Sequence, residues 1–288
     1  MNKKLGALLT ILPLSLGLAA CGDSGSDSAK EPVRIGVVKP DIVNEELEKV
    51  AEEEGIDIEY VTFSDYQQPN PQLSSGQLDM NWFQHIAFLA DYNVSSNENL
   101  QIVGPTAIYP LGLYSNKHDS VEEIPEGGEI AIPNDTVNET RAILLLKAAG
   151  LVELKEELAS PAVTDVDIEK SKVKLKSVDA AQTVLALDSV DASVVNNDFV
   201  ADAGLVPSDA IFQDDPSNEE SLPYVNLFAA RKGEEDNETY QKIAELYHDE
   251  RVQEKVKEQS GGTAVDVTTD VSKLRDVQAR LEEELRSR

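Results

Sequence analysis

From Val33 onward the chain alternates short apolar runs with segments of helical periodicity, and few architectures accept that order. Val33 to Val38 is a β-rich apolar run. Ile42 to Glu54 follows with Val43, Leu47, Val50 and Ala51 on one helical face. Ile56 to Phe63 is again strand-like, and Ile86 to Tyr92 again helical. Strand, helix, strand, helix is the pattern of an α/β fold, in which helices cover a largely parallel sheet. In open sheets of this kind ligands sit beyond the carboxyl ends of strands. The residues just after predicted strand ends are therefore the first places to look for a site.

One such place is Phe63 to His85, FSDYQQPNPQLSSGQLDMNWFQH. Asp65-Tyr66 opens it, a Pro/Asn-rich turn follows, and a short helix is expected over Pro71 to Leu78. It ends with the chain's single Trp, a Phe and a His within four residues, Trp82 to His85. Polar groups beside large rings suit a pocket for a small, partly apolar molecule. A strand end packing its rings into a core fits the residue types equally well.

The second place is Glu129 to Leu146. A strand, Ile130 to Ile132, runs through Pro133-Asn134-Asp135 into a helix expected to bury Ile143, Leu144 and Leu146. Asn134, Asp135 and Thr136 are all good N-caps. Free N–H groups and the helix dipole favour an anion there. Arg141 lies in the first turns and can grip a carboxylate with two prongs; the alternative is a surface ion pair. Asn196 falls at the end of a strand within Asp188 to Asn196, where its amide can both donate and accept. Asn226 lies in a later strand, Pro223 to Arg231, and is expected to face the same cleft. Asn237 to Gln259 reads as a helical pair stopped by Gly261-Gly262.

The N-terminus has a different character. Lys3 and Lys4 precede an apolar run, Leu5 to Leu18, too short for the roughly 20 residues of a membrane span. It ends Leu18-Ala19-Ala20-Cys21, a bacterial lipobox. Residues 1–20 are therefore expected to be a signal peptide and Cys21 the lipidated residue, anchored by more than one acyl chain. Residues 21–31 form a Gly/Ser/Asp tether. Cys21 is the only cysteine, so neither an internal disulfide nor a cysteine-rich metal site is possible.

Lys and Arg number 25 against 54 Asp and Glu, a formal net charge of −29. Residues 1–20 hold two of the Lys and none of the acids, so processing makes the chain more acidic still. This excludes nucleic-acid binding, which needs Lys and Arg against phosphate. His85, His118 and His248, the three histidines, have no metal-ligand spacing. No P-loop, HExxH or GxSxG motif occurs. No cofactor, metal or catalytic constellation is expected, and the chain does not read as an enzyme.

The blocks above resemble the NlpA family, the methionine-binding lipoproteins of bacterial ABC importers. The family's F-x-D-Y-x-x-P-N…D-x-N-x-F-Q-H is matched at Phe63, Asp65, Tyr66, Pro69, Asn70, Leu73, Gly76, Leu78, Asp79, Asn81, Phe83, Gln84 and His85. Tyr109, Pro110, Gly112, Tyr114 and Ser115 match its Y-P-x-G-x-Y-S. Pro133, Asn134, Asp135, Asn138 and Arg141 match P-N-D-x-x-N-x-x-R, with Thr140 where the family usually has Gly. The segments around Asn196 and Asn226 resemble two more of its blocks.

The resemblance implies a two-lobed, type II periplasmic-binding-protein-like fold with a cleft between lobes and two connecting strands. Lobe 1 would take residues 32–110 and 222–267, and lobe 2 residues 111–221. Residues 268–288, with Val271, Leu274, Val277, Leu281 and Leu285 at helical spacing, would be an added amphipathic helix on the back of a lobe. The implied function is capture of methionine outside the cytoplasm, at the cell membrane, for an ABC importer's permease and ATP-binding subunits. Arg141 would hold the carboxylate. Asn138, Asn196 and Asn226 would meet the ligand's main-chain polar groups, and Tyr66, Trp82, Phe83 and Tyr109 would wall in its side chain. His85 would orient one of these groups. A methionine-containing dipeptide, another apolar amino acid, or a non-transport surface role are the alternatives.

Overall fold

The computed structural model describes residues 31–287. The segments expected to be a signal peptide, the lipidated Cys21 and the tether up to Lys30 lie outside them. In chain order the elements are β1 (Val33–Val38), α1 (Ile42–Glu53), β2 (Ile58–Phe63), α2 (Pro69–Ser74), β3 (Met80–His85), α3 (Ile86–Ser96), β4 (Leu100–Pro105), β5 (Ala107–Ile108) and β6 (Gly112–Tyr114). Then come β7 (Gly128–Pro133), α4 (Thr136–Ala148), β8 (Val173–Val178), α5 (Ala180–Ala186), β9 (Ala192–Val195), α6 (Asn197–Val200) and β10 (Phe212–Gln213). The chain closes with β11 (Asn226–Arg231), α7 (Glu238–Leu246), α8 (Glu250–Gln259), β12 (Val265–Asp266) and α9 (Val271–Arg286).

Two five-stranded sheets result. The first runs β2-β1-β3-β11-β4 and the second β10-β6-β9-β7-β8. In each, three strands are parallel, β1 with β2 and β3, and β7 with β8 and β9. β11 inserts antiparallel between β3 and β4 although 120 residues of chain separate it from β4. The molecule is thus a two-lobed α/β protein, each lobe built on its own sheet.

Local chemistry sets the element ends. Asp41 caps α1, accepting from the Val43 and Asn44 amides at 2.8 and 3.3 Å, while Asn44 Oδ1 accepts from the Asp41 amide at 2.9 Å. This reciprocal cap uses amides that a helix start otherwise leaves unpaired. Asp135 caps α4 by accepting from the Asn138 amide at 2.9 Å. Gly261 and Gly262 adopt φ of 60° and 81° after α8, a conformation that side-chain-bearing residues avoid.

The first sheet is buried on both faces. Ile35, Leu47, Phe228 and Tyr247 pack on one side with α1, α7 and α8, and Leu89, Ile102, Leu227 and Leu274 on the other with α3 and α9. Leu113, Ile130, Ile143 and Val194 centre the second lobe. A fourth cluster joins the lobes, bringing Tyr66 and Phe83 against Tyr114, Val184 and Phe199.

Several details differ from the sequence reading. Trp82 to His85 lie within β3 rather than beyond a strand end. The short helix spans Pro69–Ser74, because proline is favoured at a first helical position. On α4, Leu145 is buried and Leu144 only partly so, since the face turned to β7 is set by packing. Of the two segments joining the lobes, the second winds through a short 3-10 turn, Glu219–Tyr224, before β11 begins. The C-terminal stripe does form one helix, α9, laid across α3 and β4 on the back of the first lobe.

Candidate binding site

The signature stretch first builds a rigid wall. Asn70, Asn81 and Gln84 are buried and bond one another: Asn81 Nδ2 and Gln84 Nε2 both donate to Asn70 Oδ1, at 2.8 and 2.7 Å. Asn70 Nδ2 donates to Gln84 Oε1 at 2.8 Å, and Gln84 Nε2 to Asn81 Oδ1 at 2.9 Å. Buried amides satisfied this fully fix the α2–β3 geometry. Phe83 and His85 are thereby held towards the second lobe.

Between the lobes lies a small, partly open pocket. Tyr66, Phe83, His85, Tyr109, Asn138, Arg141, Asn196 and Asn226 all line it. Eight residues singled out in the sequence, scattered over 160 positions, therefore converge. Trp82 does not join them. It shares a face of β3 with Met80, and its ring packs 5.0 Å from Phe228 and 5.4 Å from Tyr247 in the core beneath. Side chains alternate across a strand, so Trp82 leaves β3 on the other side from Phe83 and reaches only a neighbouring recess, which it lines with Tyr109, Asp198 and Asn226.

The polar side of the pocket is a chain of defined donors and acceptors. His85 Nδ1 accepts from the Phe88 amide at 3.2 Å, which places the proton of the neutral ring on Nε2. Nε2 donates to Asn138 Oδ1 at 3.4 Å, and Asn196 Nδ2 donates to the same oxygen at 3.1 Å. Burial, then the nearby Arg141 charge, push the His85 pKa down to about 3, so the ring stays neutral. Asn138 Nδ2 donates in turn to the Asp135 carboxylate at 3.0 Å. One acceptor is left over: Asn196 Oδ1 is buried and has no partner among the described residues. An unpaired buried acceptor is costly, unless a guest supplies the donor.

Arg141 is buried, not on the surface. Its Nε donates to Asp214 Oδ2 at 2.7 Å and its Nη2 to the Tyr109 carbonyl at 3.1 Å. Its guanidinium carbon stands 4.1 Å from the Tyr224 ring centre. Nη1 has no hydrogen bond among the described residues. Elsewhere in the pocket wall Tyr66, Phe83 and Phe88, backed by the buried Phe199, form a nest of tilted and edge-on rings 5.2–6.1 Å apart. The pocket therefore offers a fixed cation, an orphan acceptor and polarizable rings, as an α-amino acid with an apolar side chain would require.

Sequence reasoning missed four contributors. Asp214 and Tyr224, which hold Arg141, lie 73 and 83 residues from it and carry no local signal. Phe88 sits three residues past the signature. Asp198 follows the strand-end Asn196 closely enough to have been found by the rule that sites gather there.

The NlpA lipoprotein model matches residues 33–268. The chain belongs to the NlpA lipoprotein family. Within it, the chain is 38% identical over 272 residues to a Vibrio cholerae protein named probable D-methionine-binding lipoprotein MetQ, covering 92% of this chain and 99% of that one. Protein PG110 from Staphylococcus aureus superposes with a TM-score of 0.81 at 36% identity, covering 86% of this chain and 99% of the other. A nutrient-binding protein from Burkholderia cenocepacia, solved bound to methionine, gives 0.76 at 36% identity over 81% and 99%. The family match ends at residue 268, so α9 lies beyond it.

Proposed function

We propose that this NlpA lipoprotein captures methionine in the pocket described above and passes it to the permease and ATP-binding subunits of an ABC importer. It would do so outside the cytoplasm, held to the membrane through acylated Cys21. Lobe 1, residues 32–110 and 222–267, and lobe 2, residues 111–221, close on the guest. It acts by binding rather than by catalysis.

Arg141 Nη1 receives the ligand carboxylate. Asn196 Oδ1 accepts from its ammonium group, and Asn226 and Asn138 complete the polar shell. Tyr66, Phe83, Tyr109 and Phe88 enclose the thioether, each sulfur–aromatic contact contributing about 0.3–1.5 kcal/mol. His85 acts indirectly, holding Asn138. Trp82 supports β3 from the core side. Closure is favoured because each lobe supplies only part of the contacts, so occupancy and shape are linked.

The observation that carries this reading is the buried, partnerless Asn196 Oδ1 in the pocket that also holds the Arg141 guanidinium. Support comes from the methionine-bound Burkholderia relative and from the names of the curated relatives. Calorimetric titration of the purified protein with methionine, beside Arg141→Ala, is the test. Saturable binding that the variant loses supports it; unchanged affinity in the variant removes Arg141 from the site.

A further inference from the structure

Among the described residues lining the pocket, Arg141 is the only one with a fixed positive charge and Asp198 the only carboxylate. Asp214, behind Arg141, is already committed to the guanidinium. A zwitterion closed into this cleft brings one charge of each sign, and leaving either unpaired there is expensive. We propose that Asp198 is the counter-ion of the guest's ammonium group, making the site selective for a cationic α-amine over its hydroxy-acid or keto-acid analogue. The proposal rests on the amino-acid reading above and adds to it a specificity-determining residue.

Geometry supports the assignment. Asp198 is two residues beyond Asn196, whose free Oδ1 lines the same pocket. Its Oδ2 accepts from Tyr66 Oη at 2.8 Å, a bond from one lobe to the other. Its Oδ1 makes no hydrogen bond among the described residues. Tyr66 thus orients the carboxylate and leaves one oxygen for the guest. The other ionisable groups acting on Asp198 are Asp41, Lys39 and Tyr109 from the first lobe, with Lys39 itself ion-paired to Asp202. Lys39 favours the charged carboxylate and Asp41 opposes it. Burial dominates, lifting the Asp198 pKa to about 7 before any ligand arrives.

A bound ammonium would pull that carboxyl back towards ionisation. Affinity should therefore rise as pH climbs towards and past 7, and binding below 7 should release a proton. A hydroxy acid should show neither effect.

The test is calorimetry on the full chain between pH 5.5 and 8, at pH 6 in two buffers of different ionisation heat. The ligands are methionine and its 2-hydroxy analogue, 2-hydroxy-4-(methylthio)butanoate. The native protein should prefer methionine by about tenfold or more, the range of hydrogen bonds to charged groups, and release a proton on binding it. Asp198→Asn keeps an acceptor for Tyr66. It should lose most of that preference, bind the hydroxy acid almost as before, and show a flat pH profile. Equal loss of both ligands, or an unaltered preference and pH profile, overturns the proposal. So does native protein that fails to distinguish the two ligands, a result that needs no variant. If another free amino acid binds with these signatures and methionine does not, methionine as ligand is wrong and the Asp198 role stands. If no free amino acid binds, both fall.

Discussion

The Tyr224 ring covers the Arg141 guanidinium at 4.1 Å, and the same ring meets His85 edge-on at 5.3 Å. Tyr224 sits in the second segment joining the lobes, immediately before β11. The segment that links the lobes therefore also holds the cation that we assign to the ligand carboxylate. Replacing Tyr224 by Leu should weaken methionine binding about fivefold, from a cation–π term near 1 kcal/mol. Tyr224→Phe should bind almost normally. Calorimetric titration of both variants checks this, and equal losses in the two would assign the effect to the hydroxyl instead.

Acid stability should show two opposing slopes. His85 has a pKa of about 3 in the folded protein against roughly 6.5 unfolded. The unfolded chain therefore binds more protons there between those values, and this group makes stability rise with pH. Asp198 is displaced the other way, to about 7 from an ordinary 3.8, so it makes stability fall as pH rises across that window. Asp198→Asn should accordingly steepen the loss of stability on going from pH 6.5 to 4.5, and His85→Gln should reduce it. Urea midpoints at three pH values would reveal either sign.

Gly104 lies on β4 where α7 crosses it. A Cβ placed there would stand 2.7 Å from the Ala244 Cβ, closer than packed carbons tolerate. Gly104→Ala should cost about 1–3 kcal/mol, as overpacking typically does. Adding Ala244→Gly should recover part of it, less the roughly 1 kcal/mol that glycine costs in a helix. Chemical denaturation of the single and double variants gives the comparison.

The helix α9 is integral to the first lobe. Leu274 is 1% exposed. Gln278 donates to the Leu100 carbonyl at 2.9 Å and Arg275 to that of Ile102 at 3.0 Å. Asn93 of α3 donates to Glu282 at 2.8 Å. Leu274→Ala should destabilise the protein by about 2–4 kcal/mol while leaving ligand affinity unchanged, measured by urea unfolding beside a methionine titration. Little loss of stability would show that α9 only rests on the surface.

The sequence by itself determined the alternation of strands and helices, the cap at Asp135, and the short blocks that carry Tyr66, Phe83, His85, Asn138 and Arg141. Each is written in residues a few positions apart, where periodicity, capping geometry and turn preference act. Tertiary structure decided the rest. It turned Trp82 to the core and Phe83 to the cleft, because a strand has two faces and a run of rings does not say which is inward. It also brought Asp214 and Tyr224 to Arg141, Asp198 to Tyr66, and α9 to α3. Those pairings join residues some 70 to 190 positions apart, and only the folded sheets bring them within bonding distance.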